Sequence, residues 1–144
     1  MENSVIKGLN EQLQGVIMGE KEFLKLIEKA NDENLIDSLN NSIKIIEKHK
    51  RFLREIISEE NYKPSNNEGV LGKIIEGFSN IINLTIDEDN EVIKSTIKGL
   101  SMGVKSIKKL LEEFNTDLPE NIKLNFLNIL NEYKNNIDEY EKLL

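Results

Sequence analysis

Two side chains in this sequence have the chemistry to hold a metal ion or move a proton inside a helical protein: Glu20 and His49, the latter the only histidine. Cysteine is absent, so thiolate ligands, thiol nucleophiles and a disulfide framework are excluded. Glu20 interrupts an apolar stripe that reads Val5/Ile6, Leu9, Leu13, Val16/Ile17, Phe23/Leu24 and Ile27. At 3.6 residues per turn, position 20 falls on the same face, which aims a carboxylate at the core. Such a group is costly to bury unless it is paired, protonated or bound to a cation. In an all-helical chain the first chemistry to test is therefore a metal–carboxylate bundle.

A di-iron bundle needs one Glu on each of two helices and a Glu-x-x-His pair on each of the other two, because hard iron takes oxygen ligands together with imidazole. Glu20 fills the first role by position. His49 is preceded three residues earlier by Ile46, and Glu47 lies about 200° around the helix from it. Residues 92–111 contain no Asp or Glu, and the last helical stretch has acids but no histidine, with Tyr133 and Ile137 in its central core slots. An intact di-iron site is not expected. Two readings of Glu20 and His49 stay open: a residual polar pair at a bundle seam, or a lone metal site, with iron as cofactor, completed by a second subunit. Glu20 has further candidate partners in Tyr133, Tyr140 and the lysines of residues 90–115. Ser4, Ser101 and Ser106 lack the ordered base that nucleophilic catalysis requires, and Gly69-Val70-Leu71-Gly72 follows no strand, so it is not a phosphate loop. The expectation is a protein without catalytic residues.

The elements that position these residues follow from periodicity and punctuation. The pattern predicts one domain over residues 1–144, with helices at about 3–29, 33–60, 69–84, 90–115 and 119–143. Residues 31–34, Asn-Asp-Glu-Asn, offer a short capped turn, which makes the first two helices antiparallel neighbours. Asp117 is a cap candidate, with Pro119 in a first turn and Glu120 three residues after the cap. Between the two hairpins lies a connection of about 30 residues, long enough to cross the bundle. Its apolar residues, from Val70 to Leu84, exceed what one buried stripe requires, so it is either clamped against the bundle or covered by another chain.

Several pieces together resemble a known family. Leu9-Asn10-Glu11, then Gly19-Glu20-Lys21-Glu22-Phe23, then Glu68-Gly69-Val70-Leu71-Gly72 ahead of Phe78, and finally Asp117-Leu118-Pro119 are similar in order and spacing to bacterial ferritin-like domains of unknown function. The resemblance covers nearly the whole chain. It implies an all-α, ferritin-like four-helix bundle whose long crossover carries a short extra helix. It also implies a degenerate di-iron site, since the slot that resembles the family's Gly-Glu reads Ser101-Met102-Gly103 here. By loose family analogy, the expected role is binding or structural, in stress or dormancy physiology.

Composition limits the partners. A net charge of −7 argues against a general nucleic-acid binder, and no stretch reaches the roughly 18 apolar residues of a membrane span. The amino terminus lacks the basic start and apolar run of a secretory signal, so a cytoplasmic protein is expected. Lys94, Lys98, Lys105, Lys108 and Lys109 form a basic stripe suited to a solvated face or to an acidic surface on a partner. The glycine pairs Gly15/Gly19 and Gly99/Gly103 put smooth patches on two helices, which makes a homodimer or another protein partner the expectation.

Overall fold

In the computed structural model, residues 1–66 and 88–144 are described. They form four α-helices and no strand: α1 (Asn3–Lys29), α2 (Glu33–Glu59), α3 (Asp89–Glu113) and α4 (Glu120–Glu141). Their bounds lie within two residues of those expected from periodicity. The expected helix at 69–84 lies outside the described residues.

Each helix end has a local cause. Asp32 caps α2, its carboxylate accepting the Leu35 N–H at 3.1 Å, with Glu33 in the first turn where the helix dipole favours an acid. At the other end of α2, Asn61 adopts φ 64°, and the N–H groups of Asn61 and Tyr62 donate back to the carbonyls of Ser58 and Ile57. This left-handed turn satisfies two carbonyls that the helix leaves open, and asparagine tolerates it better than most residues with a Cβ. The start of α4 differs from expectation. Pro119 itself is the N-cap, with extended backbone and no side-chain cap, and the helix begins at Glu120. Asp117 belongs instead to the turn that closes on the Phe114 carbonyl, and its side chain caps nothing.

Helix α1 packs on α2 and α3, and α4 packs on the same two from the other side. The contacts Gln12–Ser106 and Asn31–Asp89, and Ser42–Tyr140 and His49–Tyr133, show by their order that α1/α3 and α2/α4 are antiparallel pairs, as the two hairpins are. The carboxylate of Asp89 accepts the backbone N–H groups of Asn31 and Asp32, both at 2.9 Å, which fixes the start of α3 on the α1–α2 turn. Helix α3 therefore runs parallel to α2, and the chain must travel the length of the bundle between them. The crossover topology read from the connection length is the one observed.

The core is a single cluster to which all four helices contribute, with Phe23, Phe126 and Tyr140 among its largest fully buried side chains. At one place α1 and α3 nearly touch: a Cβ on Gly8 would come within 2.7 Å of the Phe114 ring. Among the described residues, nothing lies within 4 Å of the Cβ positions of Gly15 and Gly19, so these glycines line a groove instead of a tight helix contact.

Candidate functional site

His49 projects from α2 into the centre of the bundle and is fully buried. Its Nε2 lies 2.8 Å from Gln12 Oε1 on α1, and its Nδ1 lies 2.9 Å from the Tyr133 hydroxyl on α4. Gln12 in turn donates through Nε2 to the Ser106 carbonyl at 3.1 Å and to the Ser106 hydroxyl at 3.2 Å on α3. These bonds fix the protons. A carbonyl only accepts, so the Gln12 amide nitrogen must face Ser106 and its oxygen must face His49. His49 then carries its hydrogen on Nε2, and Nδ1 accepts from the tyrosine O–H. Every helix supplies one member, and both imidazole nitrogens are used.

This environment holds His49 neutral. Burial lowers its pKa from 6.5 to about 3, because an imidazolium there would lose its surrounding water. Burial also pushes the Tyr133 hydroxyl well above its ordinary range, with the charge of Glu132 acting in the same direction. Neither group exchanges a proton near neutral pH, so the arrangement suits orientation and packing better than acid–base work. The imidazole lies edge-on to Tyr133 (5.6 Å between ring centres) and Phe126 (6.4 Å).

A second buried cluster joins α2 to α4. The Tyr140 hydroxyl donates to Ser42 Oγ at 2.6 Å, and Ser42 has both the Ser38 carbonyl and the Asn136 side-chain carbonyl as acceptors for its one proton. Asn136 also donates to Glu139 at 3.2 Å. Burial raises the Tyr140 pKa, the Ser42 bond partly offsets that, and Glu139 adds to it.

Glu20 is not in the centre. Its carboxylate meets the Lys50 ammonium at 2.7 Å on the α1–α2 seam, with 17% of its side chain exposed and 20% of the lysine's. Lys50 belongs to α2, and so was not among the partners expected for Glu20. The structure thus gives each of the two residues singled out by sequence a protein partner of its own and brings them to no shared site. The carboxylate of α1 that is buried is Glu22, which has Lys25 at 3.5 Å. Among the described residues, no group of three or more His, Asp and Glu side chains is placed to hold a metal ion.

Sequence reasoning looked for acids around His49 and missed the amide, hydroxyl and phenol that surround it. The signal was present: Gln12, Ser42 and Asn136 are polar residues within buried stripes. Beside the network, between α1 and α3, lies a half-open cavity of about 330 Å³. Gly15, Gly19, Gly99 and Gly103 flatten its walls, Met18, Phe23 and Leu100 make them apolar, and Gln12, His49 and Tyr133 form its floor. Glu11, Lys109 and Glu113 also line it.

No helix among the described residues is long and apolar enough to cross a membrane. No curated protein and no solved structure matches the chain. One family model does match, over residues 4–113, from the start of α1 to the last residue of α3. The match takes in Gln12, His49 and Ser106 and stops before α4, which brings Tyr133. The chain belongs to the DUF2383 family, a domain of unknown function.

Proposed function

We propose that this protein is a non-catalytic, ferritin-like bundle, degenerate at the di-iron position, that acts as a binding or structural protein. The observation that carries this reading is the engagement of His49. The one imidazole able to bind a metal gives Nε2–H to an amide oxygen and takes a proton from a phenol at Nδ1, and Glu20 is committed to Lys50. A metal at His49 would have to displace one of these bonds and would find no carboxylate cluster among the described residues in return.

Elemental analysis of the untagged protein after aerobic loading with ferrous iron tests the reading. The expected result is no retained iron in the parent chain, in Glu20→Ala or in His49→Ala. About two irons per chain, as a di-iron site requires, lost in either variant, would restore the enzyme alternative. The partners in this reading are protein surfaces, a second copy of the chain first. Leu124 and Leu127, one turn apart on α4, are 60% and 44% exposed and supply apolar contact area. Light scattering that shows only monomer at high concentration would reject the homodimer.

A further inference from the structure

Leu124 and Leu127 stand a turn apart on the outer side of α4, 60% and 44% exposed, whereas the other exposed large apolar side chains among the described residues, Leu24, Tyr62, Met102 and Leu144, stand singly along the chain. A single exposed leucine is ordinary, but two on one line of a helix ask what surrounds them. Exposed positions continue that line in both directions at alternating steps of three and four residues: Asp117, Glu120, Leu124, Leu127, Asn131 and Lys134. This is the seam spacing of a coiled coil. It runs along the side of α4 opposite the stripe of Phe126, Ile129, Tyr133 and Tyr140 that enters the core. Helix α4 thus carries two seams, and the outer one has no helix packed on it among the described residues.

The outer seam is complementary to itself in one alignment. When two α4 helices run antiparallel with the two-fold axis between Leu124 and Leu127, Leu124 meets Leu127 of the second copy, twice by symmetry. Outward from the axis, Glu120 meets Asn131, whose amide can donate to the carboxylate, and Lys134 meets Asp117, again twice. A shift by one heptad sets the leucines against Asn131 and Lys134 in one direction and against Glu120 and Asp117 in the other. A parallel pair stacks Asp117 on Asp117 and Lys134 on Lys134. Only the first alignment joins the leucines and opposes unlike charges, and like charges across an interface are what disfavour the rest. Asp117 and Lys134 are available for it: both are exposed, the Asp117 side chain caps nothing, and neither has an ion pair among the described residues. We propose that α4 packs against α4 of a second copy in this antiparallel register, closing a two-fold dimer. The pairing rests on the reading of a second copy as the partner, and it names the surface and the alignment. One helix face per copy is at the small end of specific interfaces, so the dimer is weak, with a Kd of roughly 1–100 μM.

Sedimentation equilibrium of the full chain at low salt tests it. Lys134→Asp and Asp117→Lys each put like charges at both ends of the seam, and each should weaken the dimer about tenfold, although the first makes the net charge more negative and the second less. The double variant restores unlike pairs in exchanged positions and should return to within about threefold of the parent. Leu124→Glu should leave monomer at concentrations where the parent is dimeric. All three positions are exposed, so circular dichroism should show the same helix content in every variant. A parent chain that stays monomeric throughout would overturn both the second-copy reading and this proposal. A dimer that survives Leu124→Glu would keep that reading and overturn the α4 face. Dimer lost in Leu124→Glu, but weakened by Lys134→Asp alone or not recovered in the double variant, would overturn the register.

Discussion

At the scale of single residues, His49 makes the sharpest prediction. Its folded pKa is about 3 and its unfolded value 6.5. The unfolded chain therefore binds the extra proton first, and stability falls as pH drops from about 6.5 towards 3. By linkage, this one group removes roughly 3 kcal/mol by pH 4 and nothing above neutrality. Denaturant midpoints measured across this range check it, with His49→Phe as the variant in which that part of the acid dependence disappears. Tyr133→Phe keeps the ring but removes the O–H that Nδ1 accepts, leaving a buried acceptor without its donor. It should cost about 1–3 kcal/mol in a urea titration. Glu20 shows why part of this scale was hard to read. Its place on the apolar stripe was plain, but the buried face of α1 passes from Val5, Leu9 and Leu13 to Glu22, Phe23 and Leu26, which leaves Glu20 at the edge facing α2. Periodicity assigns a face; which residue at its rim is covered depends on the neighbouring helix.

At the scale of elements, the ends of helices separate what local chemistry decides from what it does not. Asp32 was legible as a cap because its partner, Leu35, is three residues away. The grip of Asp89 on Asn31 and Asp32 was not, because those residues are almost sixty positions distant and nothing local announces them. At α4 the local signal misled: Asp117 has the type and spacing of a capping residue, but the turn after Phe114 and the fixed backbone of Pro119 start the helix at Glu120. A matched set of variants tests this ordering by thermal melting. Asp32→Ala should cost about 1 kcal/mol, Asp89→Ala about 1–2 kcal/mol through two lost bonds, and Asp117→Ala less than about 0.5 kcal/mol.

At the scale of the molecule, the order of apolar stripes and breaks was enough to give four long helices, two antiparallel hairpins and a crossing between them. Short loops leave only neighbouring positions for paired helices, and a long one permits a crossing. The centre was less legible. A bundle of this plan has a place where side chains from every helix converge, and here Gln12, His49, Ser106 and Tyr133 occupy it with a network that closes on itself. Its members are far apart in sequence and are not a metal-ligand set, so no spacing rule finds them. Such a network specifies which faces meet, because a rotated helix would strand a buried polar group. Among the described residues, no cluster of His, Asp and Glu side chains able to hold a metal forms around this imidazole.

The measurement that tests this account most directly is nitrogen-15 NMR of the single histidine, which gives one unambiguous imidazole in the untagged protein. The account predicts a neutral ring protonated at Nε2, unchanged between about pH 5 and 8 and unmoved by added zinc or ferrous iron. A ring that titrates near its ordinary value, or whose signals shift on metal addition, would contradict the closed network and with it the non-catalytic reading.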